Sequence, residues 1–408
     1  MSLEYLRNKL EHVRHRVNIR YGYYEMKNHE TLFNSIVPEK YKHMTTSLGW
    51  CAKAVDTLAD RLNVYGFYHD GFNIEDIYNL NNKDVLFDSA ILSALITSCS
   101  FIYVAEPDGE NVPRLQVIDG RNATGTIDPI TNMLKEGYAI LDQDEKGKPT
   151  LEAHFEVGRT TYYRKGEEPR VVENVAPYPL LVPIIYRPDA KRPFGHSRIS
   201  RACMSYSKLA IRNVLLATIS SEFYSFPQKY ALGIDDDLLA QFNNAKASMS
   251  DFLAFSRDED GNNVQLGQFS SISMAPYQDV MRMYASLFAG ETGLTLDDLG
   301  FIQSNPSSAE AIKASHENLR LYARKAQKSF STGFINAGYL AACLRDGVSW
   351  KRYSLYDTKM QWEPIFEPDM NAMAAIGDGI LKLNQAVPGY LGKESMRLLT
   401  GIEAEDDQ

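Results

Sequence analysis

The chain contains few cysteines, and none of them are closely spaced. Its 408 residues include four, Cys51, Cys99, Cys203 and Cys343, and no CxxC motif occurs. Disulfide-stapled domains and most zinc sites depend on short cysteine spacings. The pattern is typical of a reduced, intracellular chain, and it argues against a disulfide scaffold.

An excess of basic residues is also absent. Lysine and arginine total 43 against 52 aspartates and glutamates, which gives a formal net charge of −9. Proteins that hold nucleic acid tightly do so mainly by neutralising phosphates with lysine and arginine. The charge balance therefore disfavours tight DNA binding by the chain as a whole.

No segment has the composition of a membrane span. The stretch 89–105 is uncharged, but serine and threonine interrupt it. A spanning helix needs about 20 predominantly apolar residues. We interpret this stretch as a buried helix followed by a buried strand, and the sequence predicts no membrane partner.

Sequence motifs of the common enzyme classes are missing. The chain has no phosphate-binding P-loop, dinucleotide-binding glycine motif, HExxH zinc motif, nucleophile elbow or EF-hand loop. His12 and His15 share a helical face, but Arg14 and Arg16 beside them would repel a cation. The sequence predicts no enzyme, no cofactor and no metal site.

Two acidic groups leave a magnesium site open as an alternative. Asp235, Asp236 and Asp237 precede a helical segment, where acidic residues complement the helix dipole. Asp297 and Asp298 precede a glycine and are typical of a solvated turn. Oxygen ligands of this kind also suit Mg²⁺.

Hydrophobic periodicity predicts an α+β fold. Helices are expected over 1–35, 47–63 and 83–98, with strand pairs between about 99 and 175 that form a mainly antiparallel sheet. Asp108-Gly109 and Asp128-Pro129 are predicted turns. The proline-rich segment 177–195 is predicted to be an extended connector.

The second half is predicted to be mainly helical. Helices over 197–226 and 277–291 flank 227–275, whose pattern predicts strand, helix and then a hairpin. After a polar loop, Ser307 and Glu310 form a capping box that begins the longest helix, which runs to Leu344. The tail predicts a strand and one more helix. The long helix carries an apolar seam of Ile312, Leu319, Ala323, Ala326, Phe330, Ala337, Ala341 and Leu344.

Basic residues outnumber acidic ones on the polar side of this helix. Lys313, Arg320 and Arg324, with Lys325 and Lys328, face only Glu310 and Glu317. Such a stripe could form a phosphate-facing surface. More often, however, this pattern is typical of a solvated face or of a face that is salt-bridged to a neighbouring acidic subunit.

Three segments in the same order resemble one protein family. They are LGWCAKAVDTLADRLNVYGF (48–67), RPFGHSRIS (192–200) and the stretch 292–330, which contains LGFIQSNPSSAEAI. The first resembles an early helix that ends in RL-x-V-x-GF. The second resembles the FG-x-SRI motif before a stem helix, and the third resembles the LG-(loop)-NPSSAEAI passage before a long helix. These motifs occur in the portal proteins, or head-to-tail connectors, of tailed double-stranded-DNA phages, in particular siphoviruses of Gram-positive bacteria.

The resemblance implies a portal-like division of the chain. Because little sequence follows the long helix, a large crown is not expected. The implied parts are a wing (1–196), a stem helix (197–226), a small α/β clip (227–275), a second stem helix (276–294), a tunnel loop (295–307), a long helix (308–344) and a C-terminal wing and crown region (345–408).

The resemblance also implies a structural function. The chain would be one subunit of a ring of about twelve at the portal vertex of the virion capsid, assembled in the host cytoplasm. The ring would pass double-stranded DNA non-specifically during packaging and genome ejection. Its partners would be the terminase large subunit, the major capsid or scaffolding protein and a head-completion adaptor.

A channel loop is the most specific site that the resemblance implies. It would contact DNA at the narrowest point of the ring, while Lys313, Arg320 and Arg324 would face the channel or a neighbouring subunit. From the residues alone, a plain turn between helices is the other interpretation. The predicted loop consists of Leu299, Gly300, Phe301, Ile302, Gln303, Ser304, Asn305 and Pro306.

Two other functions remain as alternatives. One is a non-viral adaptor or scaffold whose long helix forms a coiled coil, which predicts dimers to tetramers. The other is a magnesium-dependent hydrolase that uses Asp297 and Asp298, with Asp235, around the metal.

Overall fold

A computed structural model of the chain shows mainly helices up to residue 97 and then a run of antiparallel strands from 99 to 185. It describes residues 3–28, 41, 43–107, 112–225, 229–234, 252–256, 265–268, 273–301, 314–366 and 370–400.

The helices of the described residues are α1 (Leu3–Tyr24), α2 (Trp50–Ala59), α3 (Ile74–Leu80), α4 (Lys83–Thr97), α5 (Arg201–Ser225), α6 (Ala275–Thr292), α7 (Glu317–Asp346), α8 (Met370–Ala386) and α9 (Lys393–Thr400). The strands are β1 (Val64–Tyr68), β2 (Cys99–Val104), β3 (Leu115–Ile118), β4 (Ala123–Ile127), β5 (Leu134–Gln143), β6 (Pro149–Glu156), β7 (Arg159–Arg164), β8 (Arg170–Glu173), β9 (Leu181–Ile185), β10 (Lys229–Ile234), β11 (Phe252–Ser256), β12 (Gln265–Gln268) and β13 (Lys359–Trp362).

The predicted antiparallel sheet of the first half is confirmed, but it is divided in two. Strands β4 to β8 form a meander in chain order, while β3, β2 and β9 form a second, three-stranded sheet. The turn after β4 is held by a hydrogen bond from the Asp128 N–H to Met133 O at 2.8 Å. The predicted turn Asp108-Gly109 lies outside the described residues.

The uncharged stretch 89–105 folds as predicted. Helix α4 is buried along most of its length, and all six residues of β2 are buried. Both elements belong to the main hydrophobic core. Across the part of the chain that the structure describes, no helix combines the length and apolarity that crossing a membrane requires.

The prediction of an extended connector over 177–195 was wrong in part. Five of its residues form β9, which is fully buried and pairs antiparallel with β2. Pro183 lies opposite Phe101 within this strand. Proline is tolerated because β9 is an edge strand, where one side of the backbone needs no ladder hydrogen bond.

The predicted hairpin within 227–275 was also wrong. Its two strands, β11 and β12, do not pair with each other but lie on either side of β10. β11 runs parallel to β10, and β12 runs antiparallel to it. A parallel neighbour needs a crossover of a dozen or more residues, and the segment between β10 and β11 is long enough to supply one. The predicted helix of this segment lies outside the described residues.

Helix boundaries at both ends of the chain differ from prediction. α1 ends at Tyr24, and Met26 just beyond it has a φ of +58°. The short helix α3 was not predicted, although its buried Ile74, Ile77 and Tyr78 have helical spacing. The single predicted C-terminal helix is two helices, because Pro388 and Gly389, with a φ of +75°, separate α8 from α9.

Helix α7 passes through the centre of the core, and its predicted apolar seam is confirmed. Leu319, Ala323, Ala326, Phe330, Ala337 and Ala341 are buried, whereas Leu344 is only partly buried. The helix is described from Glu317 onward, so the predicted capping box and Ile312 lie outside the described residues. Around α7 the core also joins distant segments, since β1 pairs antiparallel with β13.

Two glycines let α7 approach its neighbours closely. A Cβ at Gly333 would lie 2.6 Å from Cδ1 of Ile184 in β9, and one at Gly338 would lie 2.1 Å from Cγ2 of Ile74 in α3. Ile74 is fully buried and cannot move aside freely. These contacts fix the distance from α7 to β9 and α3.

Replacing Gly338 by alanine is therefore expected to destabilise the fold. Alanine favours a helix by about 1 kcal/mol over glycine, but overpacking a core typically costs about 1–3 kcal/mol. We expect Gly338→Ala to lower the free energy of unfolding by roughly 1–2 kcal/mol in urea denaturation. The control is Gly290→Ala in α6, where a Cβ meets nothing within 4 Å. Equal or greater stability of Gly338→Ala would contradict the packing argument.

Candidate functional site

The predicted channel loop follows α6 through a tight turn. Gly293 ends this helix with a φ of +72°, and its N–H donates to Ala289 O at 2.8 Å. An ideal Cβ at Gly293 would lie 2.8 Å from Cε2 of Tyr322 in α7. The turn requires glycine both for its backbone angle and for its close approach to α7.

Asp298 stabilises the next turn and pairs with His316, just before α7. Its Oδ2 accepts hydrogen bonds from the Thr295 N–H at 2.8 Å and from the Thr295 hydroxyl at 2.9 Å. The same oxygen lies 3.5 Å from Nε2 of His316, just before α7. Burial opposes ionisation of Asp298, but the Thr295 donors and His316 outweigh it and lower its pKa. Asp298 thus joins the two ends of the segment 302–313.

Three residues of the predicted channel loop are described. Leu299 and Phe301 are half-buried against the main core, and the Phe301 N–H donates to Leu296 O at 3.0 Å. Gly300 between them is exposed and has a φ of +90°. Ile302, Gln303, Ser304, Asn305 and Pro306 lie outside the described residues. The role of this loop in a channel stays a prediction.

The predicted basic stripe is partly neutralised within the chain. Arg320 donates from Nε and Nη2 to the two carboxylate oxygens of Glu317, at 2.7 and 2.6 Å. Arg324, four residues further along α7, is exposed. Lys313 lies outside the described residues. Among the described residues of the predicted stripe, Arg324 is thus the better candidate for contact with a phosphate or a neighbouring subunit.

The magnesium alternative finds no support at Asp297 and Asp298. Asp297 is exposed, whereas Asp298 is committed to Thr295 and His316. Asp235, Asp236 and Asp237 lie outside the described residues. Within the described ranges, no three histidine, cysteine or acidic side chains come together as metal ligands would.

The coiled-coil alternative conflicts with the position of α7. The seam that would pair with another helix is buried against the chain's own sheet and helices. A coiled coil needs such a seam to be open to a partner. The apolar face of α7 is therefore not available to a second copy.

One buried arginine joins the segments around the loop. Arg198 is 6% exposed, and its Nε donates to Ala54 O in α2 at 3.2 Å. Its Nη2 donates to Thr292 O in the last turn of α6. The guanidinium also lies over the Tyr322 ring of α7, with Cζ 5.0 Å from the centroid. A cation at this position satisfies a terminal carbonyl of α6 and complements the negative end of its dipole.

The residues beside Arg198 hold it in place. The Arg198 N–H donates to Leu95 O at 2.8 Å, and the Ser197 hydroxyl donates to Ile96 O at 2.6 Å, so both bind the end of α4. Gly195 has a φ of +73°, and a Cβ there would lie 2.1 Å from Tyr186 O. The Phe-Gly-x-Ser-Arg-Ile segment is therefore a backbone junction whose centre is Arg198.

All three segments that carry the family resemblance meet at this junction. Ala54 belongs to 48–67, Arg198 to 192–200, and Thr292 and Tyr322 to 292–330. Sequence reasoning did not single out these contacts. Arg198 lies between Ser197 and Ile199, and this local sequence gives no periodic signal that the arginine is buried. Only its position in the Phe-Gly-x-Ser-Arg-Ile motif indicates that it is important. We call the set Arg198, Ala54, Thr292 and Tyr322 the stem junction.

Removing the Arg198 guanidinium is expected to destabilise the chain. Arg198→Ala removes the donor to the Thr292 carbonyl at the end of α6 and a second donor to the Ala54 carbonyl, which we expect to lower the free energy of unfolding by about 2–4 kcal/mol. Arg198→Lys keeps the positive charge but loses the two-armed hydrogen bonding of the guanidinium and its planar stacking on Tyr322. We therefore expect it to recover only part of the lost stability. Denaturant unfolding checks both variants.

The matched control is Arg201→Ala, an exposed arginine three residues further along. Its effect on stability should stay within about 0.5 kcal/mol. If Arg198→Ala is no more destabilising than this control, the stem junction is not a structural centre.

Comparison with known proteins gives two sequence relatives and several structural neighbours. No protein-family model matches the chain. The portal protein of Mycobacterium phage L5 is 24% identical over 409 residues, covering 94% of this chain and 82% of the relative. The portal protein of Mycobacterium phage D29 is 23% identical over 398 residues, covering 92% and 80%.

The structural neighbours come from a gene transfer agent particle. A chain of its native virion is 13% identical with a TM-score of 0.46, covering 87% of this chain and 90% of that one. A chain from the neck of the native particle, computed with C12 symmetry, is 14% identical with a TM-score of 0.42 and the same coverage. These TM-scores are below 0.5, so the resemblance rests on the sequence relatives. Those relatives confirm, over nearly the whole chain, the resemblance to the portal proteins of tailed phages.

Proposed function

We propose that this chain is a structural subunit of the portal vertex of a tailed phage, and that about twelve copies close into a ring. The observation that carries the proposal is the similarity to two phage portal proteins over more than nine-tenths of the chain. The stem junction supports it, because the segments typical of the family converge there. The proposed role is structural, and no catalytic step is assigned to the chain.

Exposed apolar side chains on the stem helices support assembly into a ring. Met283 and Leu287 are 49% and 45% exposed and lie four residues apart on one face of α6. Leu209 on α5 and Leu321 on α7 are also exposed. Ring closure places a different surface of the next copy against each such face and removes the apolar side chains from water.

The net charge supports passage of DNA without tight binding. Each copy carries a formal charge of −9, so a ring repels the phosphate backbone on average. Such repulsion limits drag on moving DNA. Exposed Arg324 and the predicted loop 299–306 are the proposed points of local contact.

The remaining partners follow from the same proposal. The three-stranded sheet of β10, β11 and β12 lies between the stem helices in sequence, within the proposed clip 227–275. We assign docking of the terminase large subunit to this clip. Contacts with the major capsid or scaffolding protein and the head-completion adaptor are assigned to the wing and to the C-terminal region.

Ring assembly should fail when a charge is placed on the exposed face of α6. Leu287→Asp alters a side chain that is exposed in the single subunit, so its effect on subunit stability should be within about 0.5 kcal/mol. At each subunit contact, however, the carboxylate would be buried without a partner, which costs several kcal/mol. We expect light scattering to show subunits or small oligomers.

The control for assembly is Ile130→Asp. Ile130 is 90% exposed in the turn between β4 and β5 and lies away from the stem helices in sequence. It should assemble like the unaltered chain. Normal rings from Leu287→Asp would remove α6 from the proposed interface.

The channel role of the loop is tested by making it stiffer or larger. Gly300→Val places a β-branched residue at a φ of +90°, and Gln303→Trp enlarges the part that is proposed to meet DNA. Both variants should form rings and reduce DNA packaging in a phage complementation assay.

Gly166→Val is the matched control for backbone strain. Gly166 has a φ of +85°, and neither glycine has an atom within 4 Å of an added Cβ. The control should package DNA normally. If Gly300→Val and Gln303→Trp do so as well, the loop is only a turn between helices.

A further inference from the structure

A pocket in the first half of the chain is lined by positive charge and lies apart from the stem junction's contacts. It has a volume of about 270 Å³ between one face of α1 and the start of β2. Lys9, Arg16 and Arg20 lie on the helix side, and Arg192 lies on the opposite side. Val13, Val17, Phe101, Pro193 and Phe194 supply apolar walls.

The lining contains four cationic side chains and no acidic one. Two of the cations are anchored to backbone carbonyls: Lys9 Nζ donates to Gly125 O at 2.6 Å, and Arg20 Nη1 donates to Thr97 O at 2.7 Å. These bonds fix the pocket's shape but do not neutralise its charge. Asp189 lies next to Arg192 in the fold, but its carboxylate binds His196 at 2.6 Å and accepts from the Lys191 and Arg192 N–H groups.

Charge repulsion within the pocket is visible at Arg20. Burial, followed by the nearby charges of Arg16, Arg192 and Arg201, lowers the pKa of Arg20 to about 10. Burial also lowers the pKa of Lys9. With a pKa of about 10, Arg20 remains charged near neutral pH, so the pocket holds like charges close together in a partly apolar cavity.

This arrangement contrasts with other arginines of the chain. Arg159 pairs with Glu156, Arg320 with Glu317 and Arg345 with Asp346. In a chain of net charge −9, four cations around one concave cavity, with no paired carboxylate among the described residues, need a negative counterpart. A bound anion would supply it.

We propose that this pocket binds a phosphate group, either as free phosphate or pyrophosphate or as the phosphate of a small nucleotide. Three guanidinium groups match the paired oxygens of a phosphate, and they present more charge than a single carboxylate neutralises. The volume is just below the range of about 300–1,000 Å³ that is common for small-ligand sites, which fits a phosphate with a small substituent. The apolar walls exclude water and strengthen the charge interaction.

Titration calorimetry and thermal unfolding test the proposal on the full chain. The probes are orthophosphate, pyrophosphate and AMP, each compared with sodium chloride at the same ionic strength. At about a hundredfold excess over Kd, we expect a rise in Tm of about 2–4 °C that chloride does not give. If AMP binds more tightly than pyrophosphate, the natural ligand of the pocket is a nucleotide. If pyrophosphate binds more tightly, the natural ligand is free phosphate or pyrophosphate.

The variants use the exposed arginines, because Arg20 also anchors α1. Arg16→Gln combined with Arg192→Gln should keep the fold by circular dichroism and weaken phosphate binding by roughly tenfold or more. Arg164→Gln, an exposed arginine on β7, is the matched control and should bind as the unaltered chain does.

Three results would overturn the proposal. The first is no binding of any phosphate probe beyond the effect of salt. The second is equal binding by the double variant and by Arg164→Gln. The third is binding of a poly-glutamate peptide where all three phosphate probes fail, since this would identify an acidic protein segment as the partner.

Discussion

A buried cation with no carboxylate partner is the interaction on which the arrangement of this chain depends. Arg198 is satisfied by two main-chain carbonyls and an aromatic face, which come from α2, the end of α6 and α7. Removing a guanidinium from water is costly unless its donors are matched. The geometry of those three elements is therefore mutually constrained, and the glycines at 195 and 293 provide the close approaches that it needs.

A buried junction that joins several helices suits a subunit of the proposed ring, whose contacts with neighbouring copies need a fixed geometry. Helices α2, α4, α6 and α7 all contact Arg198 or the neighbouring Ser197, and Asp298 links the turn after α6 to His316, just before α7. Apolar side chains of α6 stay exposed in the single subunit, and the net charge is negative. These two properties support the proposed cohesion between copies and the proposed weak attraction for DNA.

Much of this architecture could be predicted from local patterns. The antiparallel strand pairs, the buried α4 and β2 and the seam of α7 all follow from periodicity and turn residues. Strand β9 was missed because Pro183 and the prolines just before it conceal a buried edge strand, and the order of β10, β11 and β12 depends on a crossover that no local pattern records. The stem junction and the cationic pocket depend on contacts between residues far apart in sequence, such as Arg198 with Ala54 and Arg20 with Thr97.

The central claim is that copies of this chain form a closed ring around a channel. Electron microscopy of the purified protein tests this most directly, because the number of subunits and the central opening are visible in the same image. The account predicts rings of about a dozen subunits with an open centre. Only monomers or dimers at every protein concentration and salt concentration, with no ring in phage particles, would contradict it.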